Sequence, residues 1–277
     1  MTKRTHNDGE SQSAELNSQK KSDYEREPKL DSAKSKRELA SAFCETGENA
    51  ALEGDFDDAF DKFQRALKLD PHSARARVGL GKAWLEFEEY RNAFEEANRA
   101  LAIRADYAPA LELRGHAARL LGAYRRAIDD YNSAIQRDKR ASGAFYGRAV
   151  ARDMLGDVED ALKDFNACLA LTPDFVYAYY DRGVLLANEK KYQEAINDYG
   201  KALELEPEFV HCYVSRGEAF VELGDPKRAL EDFDRALDLD PDYPDAYFYR
   251  AAAYRALGND RAAKDDLRTA RELGFEE

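Results

Sequence analysis

The sequence predicts an all-α fold, an α-solenoid assembled from stacked helical hairpins. Three observations lead to this fold class. The chain repeats itself every 34 residues from residue 40 to residue 277. Small side chains return at fixed positions in each repeat, and glycine or proline separates the apolar stretches. Repeats of this length are typical of two short helices that bury their apolar faces against neighbouring copies.

Composition narrows the functional classes. Of 277 residues, 35% are charged and 44% hydrophobic, with only 8 prolines and 16 glycines, which is typical of a helical globular protein. A net charge of −13 disfavours nucleic-acid binding, because phosphate backbones require a basic surface. No apolar run approaches the roughly 18 residues of a membrane span, and no secretory signal is expected. Three cysteines without metal-like spacing predict free thiols and a cytoplasmic location.

The first 30 residues differ from the rest of the chain. They are rich in Ser, Lys, Glu, Asp and Asn, and Tyr24 is their only aromatic residue. A segment of this composition cannot bury enough apolar surface to fold. We therefore expect a disordered charged tail over residues 1–30 and a solenoid over residues 31–277. Asp31 is a suitable N-cap for the helix that leads into the first repeat.

The repeats follow one another without insertion or deletion. Position 20 of every unit is alanine and position 8 is glycine or alanine, so two helices can approach closely there. Bulky residues such as Tyr179 and Tyr199 fill the space beside them. A turn such as LGD at Gly156 ends the first helix, and a proline such as Pro207 separates two units. The seven units span residues 40–73, 74–107, 108–141, 142–175, 176–209, 210–243 and 244–277.

These seven units resemble the tetratricopeptide repeat family over seven times 34, or 238, residues. The resemblance implies antiparallel helix pairs stacked in a right-handed superhelix. It also implies a concave groove, lined by the first helices, that binds peptides or protein segments. Unit 2 departs most from the family pattern. It has Ala97 where a bulky residue is usual, Arg77 at position 4, and Ala105 in place of the proline.

An arginine at position 7 and an aspartate at position 23 occur together in units 3 to 7, and units 1 and 2 have neither. A half-buried guanidinium needs a carboxylate to offset its loss of hydration. We therefore predict a structural ion pair between the two helices of each unit. One alternative pairs each arginine with the acid of the preceding unit, beginning with Glu96, and another is a ladder for an acidic ligand. The predicted pairs are Arg114–Asp130, Arg148–Asp164, Arg182–Asp198, Arg216–Asp232 and Arg250–Asp266.

No catalytic or metal site is recognisable in the sequence. The four histidines lie far apart in the repeat register, and no serine or cysteine falls in a nucleophile motif. Cys168 replaces a core alanine, which predicts an inert buried thiol. The stretch GLGKAW at 79–84 lacks the first glycine and the hydroxyl residue of a phosphate loop. We therefore predict a non-enzymatic protein that requires no cofactor and no metal.

The resemblance places positions 2, 5, 9, 12 and 13 of each first helix in the groove. Unit 3 has seven basic and four acidic residues, a net charge of +3 in an acidic chain. We therefore expect an acidic portion of a partner near Arg119, and an apolar or aromatic portion near Tyr146 and Tyr180. Alternatively, these rings pack against neighbouring first helices. The candidate groove residues are Arg75, Lys82, His116, Arg119, Tyr146, Tyr177, Tyr180, Asn188, His211 and Phe248.

Together these features predict a scaffold or adaptor that binds a peptide or protein segment. The alternative is a regulatory or assembly subunit that acts through its convex or acidic surfaces. In unit 7, Lys264 and Arg271 occupy positions that are apolar in the other six units. We therefore expect a complete array with a charged end that disfavours head-to-tail stacking, and a monomer. The two-carboxylate clamp of some relatives is not expected, because no three consecutive units carry its residue set.

Overall fold

A computed structural model describes residues 32–275, so the predicted tail at 1–30 and the last two residues of unit 7 lie outside the described part. Within that part the chain forms fourteen α-helices and no strand. The helices are α1 (Ala33–Leu52), α2 (Phe56–Leu69), α3 (Ala74–Glu86), α4 (Tyr90–Ile103), α5 (Ala108–Leu120), α6 (Tyr124–Arg137), α7 (Ser142–Asp153), α8 (Val158–Leu171), α9 (Val176–Asn188), α10 (Tyr192–Leu205), α11 (Val210–Glu222), α12 (Pro226–Leu239), α13 (Pro244–Ala256) and α14 (Asp260–Glu272).

The helices form an α-solenoid in which odd-numbered helices are the first helices of successive units. From α2 onward, each helix starts 34 residues before its counterpart in the next unit. Every helix packs against the next one in the chain, and each first helix also contacts the first helix of the following unit. In the described range, second helices make no such contacts with one another. The odd-numbered helices therefore lie side by side and form one continuous wall.

Helix α1 starts after a different cap from the one expected. Ser32 is the N-cap, and its hydroxyl oxygen accepts a hydrogen bond from the backbone N–H of Ser35 at 3.1 Å. The prediction of Asp31 as the cap is therefore wrong by one residue. A serine hydroxyl satisfies a free N–H of the first turn as well as a carboxylate does, so composition alone does not separate the two positions.

The turn inside each unit requires a left-handed backbone at position 15. In units 2 and 5 the residues there are Glu88 and Lys190, both at φ 59°. A side chain in this conformation crowds the backbone, so these two turns carry strain that glycine avoids. In the other five units the position is glycine with φ between 75° and 85°: Gly54, Gly122, Gly156, Gly224 and Gly258.

The core is made of small residues that large rings cover. The alanine at position 20 is buried in every unit, from Ala59 to Ala263. At position 8, a Cβ placed on Gly183 would lie 2.7 Å from Cε1 of Tyr199, because the ring crosses the helix there. In unit 2 the ring is replaced by Ala97 at position 24, and Leu113 from the following unit packs against Gly81 instead.

The arginine at position 7 joins two units. Arg182 donates from Nε and Nη2 to the two carboxylate oxygens of Asp198 at 2.7 and 2.6 Å. Its Nη1 donates to Oδ1 of Asn166, at position 25 of the preceding unit, at 2.5 Å. The aspartate is buried, so the guanidinium supplies the donors that water would otherwise provide. The same three-acceptor arrangement surrounds Arg114 with Asp130 and Asn98, Arg148 with Asp164 and Asn132, and Arg250 with Asp266 and Asp234.

Unit 6 lacks one of these bonds. Arg216 donates to Asp232 at 2.8 and 2.6 Å, but position 25 of the preceding unit is Gly200, which has no side chain to accept the third bond. A Cβ on Gly200 would have only Arg216 Nη1 near it, at 3.9 Å. The seam between units 5 and 6 is therefore one side-chain acceptor short.

Unit 2 builds its ion pair from another position. Arg77, at position 4, donates to Glu96 at 2.9 Å, and Arg99 also binds this buried glutamate. Glutamate is one methylene longer than aspartate and reaches the arginine one helical turn earlier. Unit 2 thus has an ion pair between its two helices although it lacks the arginine at position 7 and the aspartate at position 23. The alternative partner of Glu96, Arg114, instead binds Asp130.

Candidate functional site

The wall of first helices contains two cavities. The larger has a volume of about 550 Å³ and lies between α1, α3 and the start of α5. The smaller, of about 400 Å³, lies between α9 and α11. The larger is lined by Glu48, Ala51, Leu52, Phe56, Phe63, Arg75, Val78, Gly79, Lys82, Ala83, Glu86, Tyr107 and Pro109. The smaller is lined by Tyr180, Val184, Ala187, Asn188, Lys190, Tyr192, Tyr199, Ser215, Glu218 and Ala219.

The larger cavity has an apolar floor and a charged rim. Gly79 lies under the ring of Phe63, which leaves no room for a Cβ, so the ring itself forms part of the floor. Tyr107, the N-cap residue of α5, closes one side, and the Arg104 guanidinium covers its ring at 3.6 Å from the centroid. Leu52 is 86% exposed at the end of α1. Leu52 thus adds an exposed apolar side chain to the lining of the cavity.

The three basic candidates have different environments. Arg75 donates from Nε and Nη2 to the Glu48 carboxylate at 2.7 and 2.5 Å, and this bond lowers the pKa of Glu48. The positive charge of Arg75 is therefore largely neutralised by Glu48. Lys82 is exposed and forms no ion pair with any residue from 32 to 275. Arg119 is partly buried, and its Nε is enclosed without a hydrogen-bond partner.

The middle of the wall carries desolvated ionisable groups. Burial, together with the nearby charges of Arg119 and Lys82, lowers the pKa of His116 to about 4. Burial also raises the pKa of Glu112 on the same helix. At neutral pH the His116 imidazole is therefore uncharged. It offers a partner one donor and one acceptor nitrogen but no positive charge.

Most of the candidate aromatic rings contact neighbouring first helices. The hydroxyl of Tyr146 donates to Oδ2 of Asp181 at 2.7 Å, and its ring lies 4.8 Å from that of Phe175. The ring of Tyr180 lies 4.9 Å from that of Phe209. These rings stabilise the packing between units and present only part of their surface to the groove.

Three further candidates complete the predicted set. Phe248 stacks on Phe275, with 4.2 Å between ring centroids. Tyr177 is 53% exposed. His211 is exposed, and its ring lies 5.1 Å from that of Tyr243.

Several residues that shape the larger cavity are not predicted from the sequence. Leu52, Phe56, Tyr107 and Pro109 line it but were not among the candidates. A signal was present at position 5, where unit 2 has Val78 and units 4, 5 and 7 have aromatic residues. The absence of a ring at that position leaves space opposite Tyr107.

The described residues carry no features of a metal site, a membrane span or a reactive thiol. Between residues 32 and 275, no cluster of three or more His, Cys, Asp or Glu side chains could hold a metal ion. None of the fourteen helices is long and apolar enough to cross a membrane. Cys44, Cys168 and Cys212 are buried free thiols, and burial raises the pKa of Cys168 to about 11. Such thiols stay protonated and are poor nucleophiles at neutral pH.

Sequence profiles of one family match along most of the described chain. Profiles described as tetratricopeptide repeat match residues 50–117, 112–174 and 176–209. A profile described as TPR repeat matches residues 217–258. No curated protein matches the chain by sequence.

Solved structures with the same fold share little sequence with this chain. A tetratricopeptide repeat protein from Parabacteroides merdae is 19% identical, with a TM-score of 0.59 over 87% of this chain and 95% of its own. The protein pilF of Pseudomonas aeruginosa is 20% identical, with a TM-score of 0.68 over 78% and 98%. YrrB, described as a TPR protein with an unusual peptide-binding site, is 22% identical, with a TM-score of 0.53 over 66% and 95%. At this level of identity the likeness concerns the fold.

Proposed function

We propose, from the premise that this chain belongs to the tetratricopeptide repeat family, that it is a non-enzymatic scaffold or adaptor with a peptide or protein segment held in its groove. Repeats of this family generally mediate interactions between proteins. The observation that carries the proposal is the wall of first helices with its cavities of about 550 and 400 Å³. Their lining side chains include exposed groups that packing between helices does not use, such as Leu52, Lys82 and Asn188.

The charges in the groove support a partner with an acidic portion. Lys82 is free to meet a carboxylate, and Arg119 places a partly buried guanidinium on α5, the next first helix. Arg75 contributes little, since Glu48 neutralises it. The apolar portion of the partner then contacts Leu52 and the exposed ring of Tyr177. The net charge of −13 makes nucleic acid a poor alternative.

The setting we propose is a monomer in the cytoplasm. Three buried free thiols support a reducing compartment. The last helix, α14, presents Lys264, Arg268 and Arg271 around a shallow depression of about 350 Å³. A charged end face of this kind disfavours the apolar stacking that would join two solenoids head to tail.

The test compares groove and outer-surface variants of the intact chain. Partners captured by the wild-type chain are identified, and the affinity of a purified partner is then measured by calorimetry. Lys82→Glu combined with Tyr177→Ala should weaken binding, because both side chains are exposed on the wall of first helices. The matched control is Lys201→Glu, an exposed charge reversal on the second helix α10.

The two outcomes separate the alternatives. Loss of binding in the groove variant alone supports the groove proposal. If binding survives the groove changes and falls with Lys201→Glu, the protein acts instead as an assembly or regulatory subunit through its outer surface. Catalytic turnover of a small molecule by the purified chain would contradict the non-enzymatic part of the proposal.

A further inference from the structure

We infer that the larger cavity, bounded by Leu52, Val78 and Tyr107, is a subsite for one aromatic side chain of the bound peptide, with an adjacent carboxylate of that peptide placed at Lys82. The inference rests on the proposed function, since it names the chemistry that one part of the groove accepts. Aromatic rings of this chain occupy the equivalent positions in other units.

The protein shows what fills this space in other units. In unit 4, Tyr146 at position 5 lies against Phe175, the N-cap residue of the next first helix, with 4.8 Å between centroids. In unit 5, Tyr180 lies against Phe209 in the same way, at 4.9 Å. The two residues of each pair are 29 positions apart in the sequence. A ring at position 5 and a ring at the following N-cap therefore form an inter-unit stack.

Unit 2 has one half of this stack. Tyr107 is the N-cap residue of α5, and the residue 29 positions before it is Val78. The next residue, Gly79, has no side chain, so neither position supplies a ring to Tyr107. The cavity of about 550 Å³ lies at this place and is lined by all three residues. A volume of that size falls in the range of ligand pockets, about 300–1,000 Å³.

Unit 6 shows why a small residue at position 5 does not by itself create such a cavity. Its position 5 is Val214, but His211 at position 2 lies 5.1 Å from Tyr243, the N-cap ring of α13. In unit 2 the residue at position 2 is Arg75, and the bidentate bond to Glu48 holds its guanidinium on α1. Tyr107 therefore receives no ring from unit 2; the Arg104 guanidinium lies over its ring, which also lines the cavity.

The charges of the rim favour a carboxylate beside the ring. Four charged residues line the cavity: Glu48 and Arg75 bind each other, whereas Lys82 and Glu86 are exposed on α3. The positive charge of Lys82 acts on Glu48 of α1 and on Glu112 of α5, the first helices on either side of α3, although burial keeps the pKa of Glu112 raised. A ligand carboxylate on this side also meets the net charge of +3 of unit 3.

The experiment titrates defined peptides into the full-length chain. The probe is acetyl-Gly-Phe-Asp-Gly-amide, and two comparison peptides replace Phe by Ala or Asp by Lys. Methyl NMR spectra report on Leu52 and Ala83 at the larger cavity and on Ala187 and Ala219 at the smaller one. We expect shifts at Leu52 and Ala83, binding about tenfold weaker without the ring, and about fivefold weaker with lysine in place of aspartate.

Two variants test the subsite itself. Val78→Tyr supplies the ring that units 4 and 5 already have, so it should fill the cavity and abolish the shifts without loss of helicity. Leu52→Glu changes a side chain that is 86% exposed, so it tests the subsite even if Val78→Tyr fails to fold. The added carboxylate should repel the aspartate of the peptide and abolish the shifts. Lys82→Glu should reverse the preference between the Asp and Lys peptides.

The possible failures are distinguishable. Shifts confined to Ala187 and Ala219 would overturn the subsite assignment and leave the proposed groove function standing. Equal binding of the Phe and Ala peptides, or binding that Val78→Tyr and Leu52→Glu leave unchanged, would also overturn it. If none of the three peptides binds, the subsite is excluded, and the comparison of Lys82→Glu/Tyr177→Ala with Lys201→Glu decides the wider function separately.

Discussion

At the scale of single residues, the position-7 arginine explains how a cation is accommodated between two helices. Its five N–H groups form a planar fork, and Asp198 accepts two of the bonds that Arg182 donates. Asn166 from the preceding unit accepts another. The desolvated charge is thus matched by one carboxylate and one amide oxygen, and the bond to the amide links two units.

Removal of this arginine should destabilise the fold. Arg182→Met leaves Asp198 buried without its counter-charge, which costs about 3 kcal/mol of unfolding free energy for a well-buried pair. Urea unfolding followed by circular dichroism measures the change. The control is Lys201→Met, an exposed lysine on α10, which should stay close to wild type. An Arg182→Met variant as stable as wild type would show that the pair contributes nothing.

A third side-chain acceptor for Arg216 should stabilise the packing between units 5 and 6. Gly200→Asn supplies the amide oxygen that Arg216 lacks and removes a glycine from the interior of α10. The second effect alone is worth about 0.5 kcal/mol, because asparagine is a slightly better helix former than glycine. Gly200→Ala isolates helix propensity from the new hydrogen bond. If the thermal midpoint of Gly200→Asn falls below that of wild type, the seam has no room for the amide.

The protonation of His116 gives a prediction about pH. Because burial, Arg119 and Lys82 lower its folded-state pKa to about 4, the unfolded chain binds its proton first as pH falls below about 6.5. The contribution of His116 to stability is therefore present above pH 6.5 and lost between about 6.5 and 4. An NMR titration of the imidazole should give a midpoint near 4. Arg119→Ala should raise this midpoint, and an unshifted midpoint near 6.5 would refute the assignment.

The sequence predicts these residue-scale features unevenly. The joint occurrence of Arg182 and Asp198 across units is visible in the sequence, because both residues are present or both absent. The role of Asn166 is not visible, since it depends on how one unit packs on the next. The exposure of Tyr177 and the partial burial of Tyr146 likewise follow from N-cap rings whose position only the folded chain fixes.

At the scale of secondary-structure elements, each unit is two short helices joined by a turn with one left-handed residue. A single turn of this kind lets the second helix return along the first, so the angle between the two depends on one backbone conformation. Glycine adopts it without strain, and five units use glycine. Glu88 and Lys190 adopt it against their own preference.

Relief of that strain should stabilise the unit concerned. Lys190→Gly should raise the unfolding free energy by about 1 kcal/mol, because a side chain in the left-handed region costs roughly 1–2 kcal/mol and glycine does not pay it. The reciprocal control is Gly156→Lys in unit 4, which should lower stability by a similar amount. Chemical denaturation of both variants measures the two changes. Equal stability of Lys190→Gly and wild type would mean that the turn is not strained.

The elements themselves are largely predictable. Glycine turns and inter-unit prolines separate the helices, so their number and order follow from a 34-residue repeat. The start of α1 is less predictable from the sequence, because Ser32 and Asp31 are equally good caps by residue type. The larger cavity is harder still to predict, because it lies where Val78 occupies a position that other units fill with an aromatic ring.

At the scale of the whole molecule, the stability of the solenoid comes from each unit and from its contacts with the neighbouring units. It therefore need not be the same along the array. Unit 2 has Ala97 in place of a core ring, and its partly buried Arg77 has an enclosed Nε without a hydrogen-bond partner. Leu113 of unit 3 compensates only in part, since it belongs to the next unit. Local opening should therefore begin in this part of the array.

Hydrogen exchange tests this gradient. Amides in α3 and α4 should exchange faster than those in α9 and α10, because the core beside α3 and α4 lacks a ring. Both pairs of helices lie inside the array, so the comparison is not affected by its ends. Ala97→Tyr combined with Leu113→Gly copies the arrangement of Tyr131 and Gly147. That double variant should slow exchange in α3 and α4. A uniform exchange rate along the solenoid would contradict the proposed weak unit.

The arginines at position 7, each of which lies where two units meet, also indicate how the chain can be shortened. Each of these arginines lies beside position 25 of whichever unit precedes it, so excision of residues 176–209 would place Arg216 directly after the unit that contains Asn166. The shortened protein would have a complete set of acceptors at that junction, which the natural chain lacks. We therefore expect the chain to remain a folded solenoid after the excision of this one internal unit.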